Sequence, residues 1–412
     1  MSRGIVVEAY EQLAAEGYLV SRPGGATQVA VGARPAPPRP PRPSQIPIAF
    51  DFRPGRPDLD LFPRTTWMRS VRRALNEVPS ERLGYLDGQG MPELRMALAD
   101  YLNRVRGTAA HPEHIVICSG FSQGLKLVAT VLREDGARRV AIEEPSQGEG
   151  RDDLRALGLD VVEIPVDANG LRVDLLDAAD VDAVVVTAAH QYPTGAVLPA
   201  ERRSALVAWA ERRRGTVIED DYDAEFRYDR EPIGAIQGLS PERVVYAGSA
   251  SKILAPGLRL GWFVVPAAMA DRVTLAKRTA DLGSPAIDQL AFADFLARGE
   301  LDRHLRRLRP IYRARRDILL ASLDRHLPEL RPVGASAGLH VLAWLPPGLD
   351  ETGIVRAAER AGIRVQGVGP RPGGPEALAG LTFGYGAIDA SAIDAGIARL
   401  AAVFAEVRGR AA

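Results

Sequence analysis

Cysteine is almost absent from this sequence. A single one, Cys118, occurs among 412 residues, so no disulfide can close within the chain, and a reducing, cytosolic setting is expected. Long hydrophobic runs are missing as well. No apolar stretch approaches the ~18 residues that a membrane helix needs, and no basic segment leads into an apolar one at the N-terminus as a secretory signal would. Nor does one sign of charge dominate: 52 Lys and Arg balance 52 Asp and Glu. Without a global field the chain has no general attraction for nucleic acid or anionic lipid. Histidine is scarce at six, and none stands at metal-ligand spacing beside an acid, so no metal is expected. What remains, 46% hydrophobic and 25% charged, is ordinary for a soluble globular protein with room for two or three packed units.

What is present falls into four stretches. In residues 1–30, apolar positions from Ile5 to Ala14 recur at helical spacing as far as Gly17, and "YLVSRPGGATQVAV" reads as strand, Gly-Gly turn and strand. Residues 31–46 carry most of the seven prolines found between Pro35 and Pro47. That composition excludes helix and central sheet and predicts an extended linker. From 47 to 288, helical patterns alternate with short β-branched runs ("HIVICSG", "RRVAIEEP", "VDAVVVTAAH", "GTVIEDD", "RVVYAGS", "LGWFVV"). Such alternation predicts an α/β fold, a mostly parallel sheet with helices on both faces. Residues 289–412 read as a smaller α+β portion opened by a long basic helix around "HLRRLRPIYRARRD", whose arginines are expected on a solvated face.

Ligands of α/β sheets gather at the carboxyl ends of strands, and four loops there carry unusual residues. In "GSASKILAPGLRLGW", Lys252 follows a strand and a run of tiny residues, with Arg259 seven positions on; a partly desolvated lysine becomes nucleophilic. In "GTVIEDDYDAEF", Asp220, Asp221 and Asp223 cluster around Tyr222. Three uses stay open for them: neutralising a helix start, holding Mg²⁺, or facing a heterocyclic cation. In "CSGFSQGLKL", a Gly-containing turn opens a helix whose free amides, with Ser119 and Ser122, make an anion cradle. "HQYPTG" places an aromatic residue before proline at a strand end. Cys118 is expected as a buried strand residue, and His190 and His340 as structural or ligand-adjacent groups. A phosphate cradle, a nucleophilic lysine and a carboxylate together fit pyridoxal 5′-phosphate.

The motifs "FDFRPGRPDLDLFP", "LGYLDGQGMPELRMALADYL", "CSGFSQGL", "HQYPTG", "IEDDYDAEFRY", "SKILAPGLRLG" and "LTFGYG" resemble, in this order, fold-type I pyridoxal-phosphate aminotransferases. More narrowly they resemble the branch fused to GntR-type DNA-binding domains, the MocR/GabR regulators. The resemblance implies that Lys252 forms the Schiff base, that Asp220 pairs with the pyridinium nitrogen and that Tyr222 bonds the ring's phenolic oxygen. It implies that Gly120, Phe121, Ser122, Ser249 and Arg259 surround the phosphate and that Tyr192 lies near the cofactor oxygen. Tyr85 resembles the tyrosine that reaches the neighbouring subunit's phosphate, which implies a homodimer. Residues 1–30 resemble the recognition helix and wing of a winged helix-turn-helix, with its two preceding helices absent, so DNA binding is expected only if that domain is completed upstream. Two departures stand out. Gln147 takes the place of the ring-stacking aromatic, and Ala387 that of the arginine gripping a substrate carboxylate. The expected ligand is therefore an amine, or an amino-acid-like compound held otherwise. The expected role is a regulator that senses this ligand by transimination at Lys252. The alternatives are an aminotransferase acting on a 2-oxo acid, and a binding module that has lost the cofactor.

Overall fold

The computed structural model describes residues 2–22, 24–30, 47–146, 148–228, 233–369 and 379–411, in two compact units, Met1–Ile46 and Pro47–Ala412. In the first, the helix Arg3–Ala15 stops ahead of Gly17, whose φ of +79° suits a residue without Cβ. Leu19–Val20 then pairs antiparallel with Gln28–Val29. Helix, turn and strand pair all form where the pattern placed them, yet no residue of that helix is buried. The proline-rich stretch 31–46 lies outside the described residues.

The second unit takes in both later stretches, 47–288 and 289–412. Its centre is an eight-stranded sheet in the order Ile115–Cys118, Gly261–Val264, Val244–Ser249, Thr216–Asp220, Ala183–Val186, Arg139–Glu144, Asp160–Asp167, Gly170–Leu171. Neighbours from Val244–Ser249 to Asp160–Asp167 run parallel. Gly261–Val264 opposes both strands beside it, and Gly170–Leu171 opposes Asp160–Asp167. Six strands thus end on one side, carrying Cys118, Ser249, Asp220, Val186, Glu144 and Asp167 there. Both faces are covered, which is why the strands read as unbroken apolar runs rather than alternating ones. Ile115 and Ile117 join one core cluster with Tyr246 and Trp262, while Val116 and Cys118 join another with Ala247 and Phe263.

The remaining sheets attach the chain's later part. Phe50–Asp51 pairs in parallel with Ile363–Arg364. Arg331–Val333, His340–Trp344, Gly380–Gly384 and Gln366–Gly367 form an antiparallel sheet. The long helix Glu300–His326 keeps Pro310 inside it and buries Leu301, Leu305, Leu308, Tyr312, Leu319 and Leu323 along one stripe. One part of the sequence reading needs correction here. Arg303, Arg306, Arg307 and Arg313 are exposed as expected, but Arg315 and Arg316 are buried. Arg315 donates to the Gly386 carbonyl and to Asp58, and Arg316 to the Ala335 carbonyl. Helical phase, not composition, separates the two sets. Among the described residues, no helix is long and apolar enough to cross a membrane.

Candidate functional site

The side where six strands end gathers most of the residues singled out above. Register brings them into rank: Asp220 lies opposite Ala247, Ser249 opposite Gly261, and Gly261 opposite Cys118. From Ser249 the chain turns through Lys252, which is half-buried, before returning as Gly261–Val264. Gly55, from a distant segment, covers the amine. Its φ is +72°, and a Cβ there would sit 3.3 Å from Lys252 Nζ. Nothing in the spacing around Lys252 announces Gly55; only its place in "RPGRP" marks it as a turn.

The residues expected to form the anion cradle meet by close backbone approach. Gly120 adopts φ +120° and caps the helix Phe121–Glu134, and no side chain caps that helix in its stead. Its first-turn amides, including those of Phe121 and Ser122, point outward with the positive end of the helix dipole. Arg259, itself in the left-handed region at φ 48°, aims its guanidinium here. A Cβ on Gly120 would lie 3.3 Å from Arg259 Nη2, and one on Gly261 would lie 2.7 Å from the Gly120 Cα. Two glycines thus let the helix start, Arg259 and the strand Gly261–Val264 come this close. Phe121 stacks on Phe263 with ring centroids 6.1 Å apart, which holds the helix start against the sheet. Cys118 is a buried strand residue, as expected. Its thiol donates to the Gly120 carbonyl at 3.3 Å, and burial pushes it up to about 11.

Three neighbouring acids go three ways, which disposes of a shared Mg²⁺ site. Asp221 is locked in a buried pair with Arg106, at 2.7 and 3.1 Å, and accepts from Tyr246 at 2.8 Å. Asp223 turns to His190, 3.0 Å away. Asp220 faces Lys252 electrostatically. Burial pushes the Asp220 carboxyl up to about 8; Lys252 opposes that, and Asp221, Asp223 and Glu143 add to it. Glu143 is buried behind Thr187, whose hydroxyl donates to it at 2.5 Å, and burial raises it to about 7. Acids so placed would be stabilised in their charged form by a cation brought in with a ligand.

Tyr222 and Tyr192 meet edge to face at 6.2 Å. The Tyr192 hydroxyl accepts from Gln366 at 3.1 Å. The Tyr222 hydroxyl lies 3.0 Å from His190 Nδ1. His190, Asp223 and His340 come within 4.8 Å of one another, all buried, a cluster that sequence spacing could not show. Their polar atoms are engaged by hydrogen bonds, His340 Nε2 with the Pro193 carbonyl at 3.2 Å and His190 Nδ1 with Asp223. Tyr85 stands 93% exposed, outside this cluster. Gln147 lies outside the described residues. Ala387 is exposed. Just before it in the chain, at Gly386, a Cβ would meet the Arg56 carbonyl at 2.4 Å, so tertiary folding brings a remote arginine's backbone beside this turn.

The aminotransferase class I and II family matches residues 58–368. The chain belongs to that family. Over 94% of its length it is 34% identical to the HTH-type pyridoxine biosynthesis transcriptional regulator PdxR of Corynebacterium glutamicum, 85% of which is covered. It is 31% identical over 98% of its length to the probable rhizopine catabolism regulatory protein MocR of Rhizobium meliloti, with 86% of that protein covered. Among solved structures it is similar to LysN, the alpha-aminoadipate aminotransferase of Thermus thermophilus. The TM-score is 0.78 at 27% identity, covering 87% of this chain and 93% of that one, and LysN was solved with N-(5′-phosphopyridoxyl)-L-leucine bound. The fold expectation thus holds: this is a fold-type I aminotransferase architecture. Its cofactor is pyridoxal 5′-phosphate, and the residues present fit that group. An uncapped helix start beside Arg259 suits a phosphate, Lys252 offers the amine, and a half-buried acid whose carboxyl is pushed up to about 8 suits a ring cation.

Proposed function

We propose that this protein is a pyridoxal-phosphate-dependent transcriptional regulator of the MocR/GabR type, in which a primary amine or amino-acid effector exchanges with Lys252 at the cofactor. Bound, the cofactor supplies an aldehyde that captures amines and a cationic ring that accepts electrons. Lys252 holds it covalently, and Gly55 closes over that amine. Asp220 keeps the ring nitrogen protonated, and Tyr222 donates to the phenolic oxygen, with Tyr192 beside it. Gly120, Phe121, Ser122, Ser249 and Arg259 hold the phosphate. Tyr85, exposed on its own chain, reaches the phosphate of a second copy, so the working form is a cytoplasmic homodimer. Residues 1–30 serve as recognition helix and wing toward DNA only where the winged helix-turn-helix is completed upstream.

The observation that carries this reading is the convergence of Lys252, Asp220 and the Gly120–Arg259 hollow at one sheet edge. It occurs in a chain whose relatives above 30% identity include proteins named as regulators. The similarity to LysN favours a second reading, an aminotransferase that passes amino groups to 2-oxo acids. Incubating the holoprotein with panels of amines and 2-oxo acids, while following the cofactor's visible absorbance, separates the two. A single shift that stalls supports the sensor; sustained amino-group exchange overturns it in favour of the enzyme.

A further inference from the structure

Between Tyr222 and the sheet lies a short polar chain that the cofactor contacts do not require. His190 Nδ1 is 3.0 and 3.2 Å from the two oxygens of Asp223, and the same nitrogen is 3.0 Å from the Tyr222 hydroxyl. His190 and Asp223 are 2% and 1% exposed, so water does not share these contacts. A carboxylate only accepts, so the nitrogen facing it carries hydrogen. An Nδ1–H has no lone pair left, and the Tyr222 hydroxyl beside it can only accept. Its own hydrogen must then point elsewhere.

One neighbour pulls against this arrangement. His190 Nε2 faces the Gly334 carbonyl at 3.4 Å, an acceptor that favours a hydrogen on Nε2, but the contact is longer than the 3.0 Å between Nδ1 and Asp223 that opposes it. Gly338, at φ +76°, presses on the pair so closely that a Cβ would lie 2.2 Å from His190 Cε1 and 2.4 Å from Asp223 Oδ2. His340 packs on the His190 ring at 5.0 Å. Burial, with His190 beside it, drives His340 well below the usual imidazole range, so it stays neutral and does not compete for Asp223. The other groups facing the phenol are Asp223, Tyr192, Asp220 and Glu143, and burial holds its pKa well above 10, so the hydroxyl keeps its hydrogen. Lys252 completes the set of charges nearby.

We propose that His190 and Asp223 are positioning residues: the Nδ1–H held by Asp223 turns the Tyr222 hydroxyl outward, so that its hydrogen is offered to the cofactor's phenolic oxygen. This rests on the placement of Tyr222 given under Proposed function. Without Asp223, the imidazole is free to take the tautomer that donates from Nε2 to Gly334. Its bare Nδ1 then draws the phenol's hydrogen inward.

The test is a pH titration of the visible absorbance of the holoprotein. Tyr222→Phe moves the midpoint up by about one pH unit, the size of one hydrogen bond to a charged group. Asp223→Ala moves it the same way by a comparable amount, and the double variant goes no further than Tyr222→Phe alone. Asp223→Asn, whose amide oxygen still accepts from Nδ1–H, stays near the wild-type midpoint. If Asp223→Ala titrates as wild type while Tyr222→Phe shifts, the proposal fails and the placement of Tyr222 stands. If Tyr222→Phe itself shifts nothing, both fall together. A second measurement needs no variant and no cofactor: ¹⁵N spectra of histidine-labelled wild-type protein, with six histidines to assign. The proposal expects a protonated Nδ1 on His190, and a bare Nδ1 there overturns it.

Discussion

Two helices of nearly equal length differ completely in what they bury. Arg3–Ala15 has 13 residues and buries none of them, leaving Ile5 57% and Tyr10 51% exposed. Phe121–Glu134 has 14 residues and buries seven, from Gly124 to Leu132. Both sequences specify a helix by local pattern, but an isolated helix this short is marginal in water. The second gains about 25 cal/mol for each Å² of apolar surface removed from water; the first gains almost none. Helicity is therefore a local property here, whereas persistence is a tertiary one. The helix that buries seven residues is also the one whose uncapped start stands beside Arg259.

The contrast can be pushed from several sides. The largest expected effect is at Lys252: Lys252→Ala abolishes the visible absorbance of the bound cofactor, whereas Tyr10→Ala leaves it unchanged. A band surviving Lys252→Ala would place the covalent anchor elsewhere. Next, amide exchange should divide the helices. Protection in Phe121–Glu134 should exceed that in Arg3–Ala15 by roughly a thousandfold or more, because only the former needs global unfolding to open. Equal protection would mean that the first helix is buried by something else.

A third expectation uses one substitution with opposite signs. A Cβ at Gly124 would come 1.9 Å from the Phe263 ring, so Gly124→Ala should cost about 1–3 kcal/mol in denaturant unfolding. At Gly4 the nearest atom is Ser2 Oγ at 4.0 Å, and Gly4→Ala should raise helicity, worth about 0.5–1 kcal/mol locally. The smallest effect is electrostatic. Burial pushes the Glu143 carboxyl up from 4.5 to about 7, so the fold favours its protonated form. That contribution is fully present below the unfolded value near 4.5 and is lost as pH rises through about 7. In cofactor-free protein the thermal midpoint should therefore fall across this interval. Glu143→Gln, which stays neutral, should flatten part of the fall, and an unchanged slope would show that another group carries it.

Much of this was readable in advance, for identifiable reasons. The six β-branched runs from "HIVICSG" to "LGWFVV" became strands because a sheet covered on both faces demands unbroken apolar sequence. Lys252, Asp220 and Gly120 could be singled out because tight turns and buried charges at strand ends need rare residue types in short, contiguous motifs. Less could be said wherever two remote segments meet. Gly55 over Lys252 and the burial of Arg315 and Arg316 lie in this class. So does the parting of Asp221 and Asp223 toward different partners.

By itself, the order of residues determined the elements, the alternating architecture and the chemical types gathered for the ligand, since these follow from periodicities and dihedral preferences that act over a few neighbours. Only the folded chain decided which partners the three adjacent acids take, which arginines are buried, and that the Tyr222 hydroxyl meets His190. Those outcomes depend on contacts between segments dozens to hundreds of positions apart. Distance through space, dielectric surroundings and competing donors are properties of the packed whole.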